Sequence, residues 1–491
     1  MDRLSATALI DLVLDDGSWV SWDTPPDRTG VDAAYAETLR LAAERAGTDE
    51  SVVTGEGRMR GRRVAVMAGE FGFLAGSVGR AAADRLVAAI QRATTERVPL
   101  LSAPASGGTR MQEGTPAFVQ MIRISAAIAA HKAAGLPYLV YLRHPTTGGV
   151  MASWGSLGHI TVAEPGALVG FLGPRVYRAL YGEPFPEGVQ TAENLYAHGL
   201  LDAVVPPEEI ADILDCALTV LQSRPQPVAA EPVDEPVPAV DAWEAITRSR
   251  DPDRPGVRRL LRYAATDVVP LNGTGEGESD PGLLIALARF GASPCVLLGQ
   301  DRRAQSGRPM GPGGLREARR GMRLAGDLGL PLVTVIDTPG TALSPEAEQG
   351  GMAGEIARCL ADLVTLAAPT LCLMLGEGNG GGALALLPAD RVVAAQHAWL
   401  SPLPPEGASA ILHRDTDHAP EVARAQHVRA ADLRERGIVD RIVPEHPDAA
   451  TEPEDFCRRV GDVLRHELAR LSHEDVDDLV RTRADRFAGT R

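Results

Sequence analysis

Hydrophobic and polar positions alternate between two periods along this chain, and the same succession occurs twice. In the first stretch, RRVAVMAGE (62–70) is a short apolar run that predicts a buried strand, and DRLVAAIQRA (84–93) carries apolar residues at helical spacing. VPLLSAPASGG (98–108) is a second strand running into glycines, followed by the helix FVQMIRISAAIAAHKA (118–133) and the strand PYLVYLRH (137–144). The pair Gly148 and Gly149 opens a further helix, and HITVAE (159–164) is again a strand. The second stretch repeats this grammar: SPCVLLGQ (293–300), LREARRGMRLAGDL (315–328), LPLVTVIDTPG (330–340), GEIARCLADLVTLA (354–367) and PTLCLML (369–375). Gly381 and Gly382 then open a helix, and DRVVAA (390–395) closes the series. Strands alternating with helices of this length predict α/β architecture with parallel or mixed sheets covered by helices.

The spacing makes the repeat a duplication. Gly148 to Gly381 and Gly107 to Gly340 are each 233 residues (381 − 148 and 340 − 107), while Pro137 to Pro369 is 232. Repeats of that length are whole domains. Between them, QSRPQPVAAEPVDEPVPAV holds Pro225, Pro227, Pro232, Pro236 and Pro238, a density that predicts extended backbone. The expected organisation is an N-terminal domain over 1–221, a Pro-rich linker over 222–256 and a C-terminal domain over 257–491.

Composition narrows the chemistry. The chain has 491 residues with 49 basic and 65 acidic side chains, a formal net charge of −16, which argues against nucleic acid and anionic membranes as partners. Only one basic residue is a lysine, Lys132, in AAHKAAG. It is not in a Gly-rich loop before a helix, so a P-loop is excluded, and no lysine stands in a tight hairpin where biotin or lipoate could be attached. Cys216, Cys295, Cys359, Cys372 and Cys457 are scattered without C-x-x-C or His at metal spacing, so neither a metal nor disulfides are expected. The N-terminus reaches Asp11 too soon for a signal-peptide core, and the Leu363–Leu375 stretch is too short and Pro-broken to span a bilayer. A cytoplasmic location is expected.

A buried strand that ends at Gly-Gly and turns straight into a helix leaves the first helical N–H groups without partners. Glycine lets a substrate approach that backbone, and the helix dipole adds partial positive charge there. Two such N–H groups make an oxyanion hole, and losing one typically slows a reaction about 10²- to 10³-fold. The candidate catalytic residues are therefore Gly148, Gly149, Gly381 and Gly382, with close helix–strand packing as the alternative role. GEGNGGG also fits G-x-G-x-x-G at Gly376, Gly378 and Gly381, but no acidic residue closes the next strand, which argues against a dinucleotide site. No G-x-S-x-G elbow exists. His144 at a strand end is a possible base and more naturally a turn residue. Glu113 and Glu377 lie near the glycines and suit supporting roles better than proton transfer. Arg302, Arg303, Arg308, Arg316, Arg319, Arg320 and Arg323 could clamp phosphate or carboxylate, or form the solvated face of a helix whose apolar stripe is Leu315, Ala318, Met322 and Ala325.

These motifs carry a resemblance. FGFLAGSVG (71–79), SGGTRMQEG (106–114), PTTGGVMASW (145–154), AEPGALVGFLGPRV (163–176) and PEGVQTAENLYAHGLLDAVV (186–205) resemble the β subunit of bacterial acetyl-CoA carboxylase carboxyltransferase. DPDRPGVRRLL, LARFGASPCVLLGQDR, MGPGGLREARRGMRLA, IDTPGTALSPEAEQGGMAGEIARCL, GEGNGGGALAL and PPEGASAIL are similar to its α subunit. The resemblance implies two tandem crotonase-like domains in a fused β–α carboxyltransferase. It implies transfer of CO2 from biotin, carried on a separate protein, to the α-carbon of an acyl-CoA, acetyl-CoA to malonyl-CoA in fatty acid biosynthesis being the expected case. The N-terminal domain would hold the acyl-CoA and the C-terminal domain the biotin. Gly148 and Gly149 would face the thioester, and Gly381 and Gly382 the ureido oxygen. Ser106, Gly107, Gly108, Thr109, Arg110 and Gly340 are the substrate-binding residues it implies. Partners would be a biotin carboxyl carrier protein and a biotin carboxylase, with a homodimer or larger homo-oligomer sharing active sites. The four-cysteine zinc ribbon that opens the β-subunit family is not expected, and LNGTGEGESD (271–280) stands where the α subunit carries His-Gly-Asp-Arg. A decarboxylase of malonyl-type thioesters and a non-catalytic scaffold of a carboxylase complex are the alternatives.

Overall fold

A computed structural model of the chain describes residues 3–223, 236–238 and 240–488. It divides into two units, Met1–Leu218 with Gly275–Gly277, and Thr219–Thr274 with Glu278–Arg491.

In the first unit one sheet runs in the order Val20–Ser21, Val52–Met59, Arg62–Gly69, Leu100–Ala103, Tyr138–Leu142, Ile160–Ala163, Ala203–Val204. The first two pairings are antiparallel and the rest parallel. The run Val64–Ala68 is buried throughout, as strands covered on both faces require. The helix Arg80–Thr95 buries Ala82, Ala83, Leu86, Val87, Ala89, Ile90 and Ala93, the i, i+3, i+4, i+7 stripe of an amphipathic helix, in one core with Ala65, Met67, Leu100 and Tyr138.

The second unit repeats this layout, in the order Thr266–Leu271, Leu283–Phe290, Ser293–Gln300, Leu332–Thr338, Thr370–Asn379, Arg391–Ala395, Arg441–Val443. Its first two pairings are likewise antiparallel and the rest of that path parallel. The helix Pro312–Leu328 buries the expected stripe of Leu315, Ala318, Met322 and Ala325. Leu100 pairs with Tyr138 as Leu332 pairs with Thr370, so the two ladders superpose at an offset of 232 (332 − 100 and 370 − 138).

The segment expected to be an extended linker, 222–256, contains the helix Ala242–Ser249. The dense prolines end at Pro238, with Pro252 and Pro255 only beyond the helix, and Asp241 caps the helix by accepting the Trp243 N–H at 3.0 Å. Ala242 and Ile246 are buried with Trp399, Ala423 and Val428, so the second unit's core claims part of the segment. Pro225, Pro227 and Pro232 lie outside the described residues.

Candidate active site

Each unit has one glycine-lined turn pair at the C-terminal ends of its parallel strands, where open α/β sheets place ligands. In the first, Ser106 Oγ accepts the Gly108 N–H at 3.0 Å and donates to Gly76 O at 2.5 Å. This tightens the loop so that Gly108 takes φ +111°, and a Cβ there would lie 3.4 Å from Gly148 Cα and 3.5 Å from Gly149 N. The loop is tied to the neighbouring turn by Thr147 N donating to Ser106 O at 2.9 Å. Gly148 follows with φ +63° and opens the short helix Gly148–Met151.

The second unit builds the same turn from different side chains. Thr338 Oγ1 accepts the Gly340 N–H at 3.1 Å, Gly340 has φ +127°, and Gly380 opens the helix Gly380–Leu384 with φ +68°. Val78 bridges Thr109 as Met310 bridges Thr341, again 232 residues on (310 − 78 and 341 − 109).

The constant offset corrects the 233-residue register. Gly340 corresponds to Gly108 rather than Gly107, and Gly148 corresponds to Gly380. A run such as GNGGG does not show which glycine takes the left-handed conformation; the strand end and helix start decide it. Gly148 is also not a free donor, because its N–H goes to Phe171 O at 2.9 Å. The helix-start donors with no intrahelical carbonyl to bond are thus Gly149 and Val150 in the first unit, and Gly381 and Gly382 in the second. Gly149 and Gly381 are half-buried, whereas Val150 and Gly382 are buried.

The remaining expected substrate residues divide between backbone and scaffold. Gly107 is exposed, its N–H on Ala75 O at 2.9 Å, and Thr109 is half-buried beside Gly149. Ser106 is buried and spends its hydroxyl inside the loop. Arg110 is 1% exposed and forms a two-pronged ion pair with Glu50, 2.6 Å at each prong, while also donating to Ser77 O at 2.7 Å. Its guanidinium braces the loop from inside. Glu113 accepts the Arg80 N–H at 2.6 Å and the Tyr35 hydroxyl at 2.8 Å, a supporting role; burial pushes the Tyr35 phenol up to about 12. His144 Nδ1 accepts the Leu168 N–H at 3.1 Å, and burial lowers its pKa. The ring is therefore neutral with its proton on Nε2, which leaves no basic nitrogen for catalysis.

The second unit surrounds its turns with charge. Burial raises Asp337 to about 6; the neighbouring Glu377 pushes the same way, against Arg302 and Arg254. Glu377 Oε1 takes the Nε–H of Arg250 at 2.7 Å. A cavity of about 630 Å³ is lined here by Arg250, Arg302, Arg303, Glu377, Asn379 and Trp399, among others. A more apolar one of about 320 Å³ is lined by Gly380, Gly381, Leu384, Leu400, Ser401 and Pro402. The arginine cluster is divided between roles. Arg316 and Arg319 pair with Glu278, Glu355 and Asp362, and Arg320 donates to the carbonyls of Asn272 and Gly273, while Arg302 and Arg303 line the larger cavity.

One feature of the site had no reading in the sequence. Leu74 and Ala75 both have positive φ, +47° and +56°, though neither is glycine. Such strain is held only where surrounding structure imposes it. The signal was available by duplication, since position 307, 232 residues after Ala75, is a glycine with φ +77°.

Comparison with known proteins decides the family. A carboxyl transferase domain profile matches residues 2–475. The chain belongs to the carboxyl transferase family. It is 60% identical over 488 residues, 99% of this chain and 98% of the relative, to the probable biotin-dependent acyl-coenzyme A carboxylase beta3 subunit of Mycobacterium tuberculosis. It is 38% identical over 513 residues, 99% of this chain and 90% of the relative, to the acetyl-coenzyme A carboxylase carboxyl transferase subunits beta/alpha of Salinispora arenicola. Among solved structures, the transcarboxylase 12S hexamer core with hydrolysed methylmalonyl-coenzyme A aligns with TM-score 0.74 at 21% identity, covering 94% of this chain and 89% of that one. The crotonase-like α/β fold expected for this carboxyltransferase is thereby shown. Among the described residues no helix is long and apolar enough to cross a membrane, and no cluster of three or more His, Cys, Asp or Glu could hold a metal.

Proposed function

We propose that this chain is the carboxyltransferase of a biotin-dependent acyl-CoA carboxylase, with acetyl-CoA converted to malonyl-CoA as the first reaction to test. The observation that carries the reading is the matched pair of glycine turns, each presenting two helix-start N–H groups in a member of the carboxyl transferase family. Gly149 and Val150 are placed to hold a thioester oxygen as it gains enolate charge. Gly381 and Gly382 are placed to hold the ureido oxygen of biotin, whose ring system suits the more apolar of the two neighbouring cavities. The bond from the ureido nitrogen to the carboxyl group would break as the bond from the carboxyl carbon to the α-carbon forms, and the freed ureido nitrogen would take the α-proton, so no side-chain base is required at either turn. The single lysine, Lys132, lies in the last turn of the helix Gln120–Ala133 rather than in a tight hairpin, so biotin would arrive on a separate carrier. We further propose that two copies of the chain complete each other's half-sites, as the simplest closed arrangement of two complementary halves.

The test supplies biotin carboxylase, biotinylated carrier, ATP and labelled bicarbonate with acetyl-, propionyl- or butyryl-CoA. Carrier-dependent labelling of an acyl-CoA, abolished by avidin, is expected. Labelling that survives avidin would refute the biotin-dependent reading, and CO2 release from malonyl-CoA by the chain alone without any carboxylation would replace it with decarboxylation.

A further inference from the structure

Arg250 ends the helix that stands in the segment between the repeats, and its guanidinium is shared between two carboxylates of unequal burial. Nε donates to Glu377 Oε1 at 2.7 Å, and the Glu377 side chain is 8% exposed. Nη1 and Nη2 donate to Glu406 at 2.6 and 3.3 Å, and the Glu406 side chain is 35% exposed. Glu377 lies on the strand that ends at Asn379, directly before the Gly380 turn, whereas Glu406 lies in the first turn of the helix Pro405–His413. Arg250, Glu377 and Glu406 all line the 630 Å³ cavity, so the pair joins two of its walls.

The two ends of this clamp differ in strength. The Arg250 side chain is one-third exposed, but breaking its Glu377 end leaves a buried carboxylate uncompensated, which is costly, whereas the Glu406 carboxylate regains water. Pairs open to solvent contribute only about 0.2–1 kcal/mol and are screened by salt. The helix bearing Glu406 is lightly packed: it buries only Pro405, Ala408 and Ser409, with Ser409 Oγ donating to Asp415 O at 2.7 Å and His413 stacked on His418, and it leaves Ile411 and Leu412 exposed at 70% and 63%. We propose that Arg250 is a latch, anchored on Glu377, that holds the helix Pro405–His413 over the 630 Å³ cavity through Glu406. A ligand is admitted when the Glu406 half opens. The importance of this for turnover rests on the carboxyltransferase reading; the latch itself rests only on the cavity.

Two measurements on the full chain test it. The first is hydrogen exchange of residues 405–413 in wild type, Glu406→Gln and Arg250→Lys. The second is the rate at which a small methanethiosulfonate reagent labels a cysteine placed in the cavity wall by Asn379→Cys, with and without Glu406→Gln. The other cysteines are buried apart from half-buried Cys216, which serves as the internal control. Glu406→Gln should raise both rates about 1.4- to 5-fold at low salt, the range to which about 0.2–1 kcal/mol converts. In 1 M NaCl the wild type should approach the variant, and Arg250→Lys, which keeps the charge, should fall between them. Equal rates for wild type and Glu406→Gln at low salt, in a correctly folded protein, would overturn the latch. If the latch behaves as expected and avidin-sensitive carboxylation is nevertheless absent, the functional reading fails while the latch stands.

Discussion

Replacing Arg110 separates two readings of the SGGTRMQEG loop. If Arg110 touches substrate, Arg110→Met should raise KM and leave the fold intact. The structure predicts the opposite, because both charges are out of water: Arg110 is 1% exposed and Glu50 2%. Removing the guanidinium strands the Glu50 carboxylate with the Ser51 N–H at 2.6 Å, deprives Ser51 Oγ of its donor, and leaves Ser77 O with the Ser51 hydroxyl alone. Breaking a buried pair from one side costs about 3–5 kcal/mol, whereas replacing both partners is much milder. Arg110→Met should therefore destabilise the first unit by that amount, and adding Glu50→Gln should recover a large part of it. The assay is urea unfolding of the full chain, with hydrogen exchange of peptides spanning 106–119 to locate the loss. A loss below about 1 kcal/mol, or a double variant no more stable than the single, would refute the bracing argument and return Arg110 to the list of substrate contacts.

Further outcomes follow from the same geometry. Gly381→Pro deletes a helix-start donor, whereas Gly381→Ala keeps it, and in both the new Cβ meets only the movable Ile356 Cδ1, 2.6 Å away. Carboxyl transfer should fall about 10²- to 10³-fold further in the proline variant than in the alanine one at similar thermal stability; equal activities would remove Gly381 N from the mechanism. Burial raises Glu317 to about 8 from 4.5, so between those values the folded chain keeps a proton that the unfolded chain has lost. Stability must fall as pH rises through that window, and Glu317→Gln should abolish the slope and be more stable at pH 8 by a few kcal/mol, at about 1.4 kcal/mol per pKa unit; parallel pH–stability curves for the two proteins would contradict this. Asp337, raised to about 6 from 3.8, should impose the same sign of slope over its lower window, and Asp337→Asn should flatten it in the same unfolding measurements.

Much of this was legible in the sequence, and the parts that were not share a cause. The strand–helix alternation and the duplication were readable because burial imposes local periodicity, as in the Leu315–Ala318–Met322–Ala325 stripe. The one-residue slip in register arose in glycine runs, where composition fixes that a tight turn exists but not which residue takes positive φ. Arg110 looked like a ligand contact because its partner, Glu50, is 60 residues away in the chain. The helix Ala242–Ser249 was hidden by the preceding prolines, since what stabilises it is contact with Trp399 and Val428, far along the chain. Leu74 and Ala75 carry strain that side-chain type alone would have argued against.

The duplicated turns also show what has been held constant and what has diverged. The backbone is the same at an offset of 232, down to the hydroxyl that takes the loop glycine's N–H, Ser106 in one unit and Thr338 in the other. The braces are not the same. The first unit holds its loop with the Arg110–Glu50 ion pair, two buried charges that cancel. The second uses neutral amides: Gln300 Nε2 donates to Gly382 O at 2.8 Å, and Gln305 Oε1 accepts the Thr338 hydroxyl at 2.7 Å. The titratable wall groups, Asp337 among them, therefore sit beside a turn whose own support carries no charge. On the proposed function, an anion at the first turn would meet Arg110 already paired with Glu50 and, at 3.4 Å, Glu113, while one at the second would meet a field that Asp337 and the Arg250 clamp can alter. If one half of the reaction responds to pH and salt, electrostatics assigns that response to the second unit.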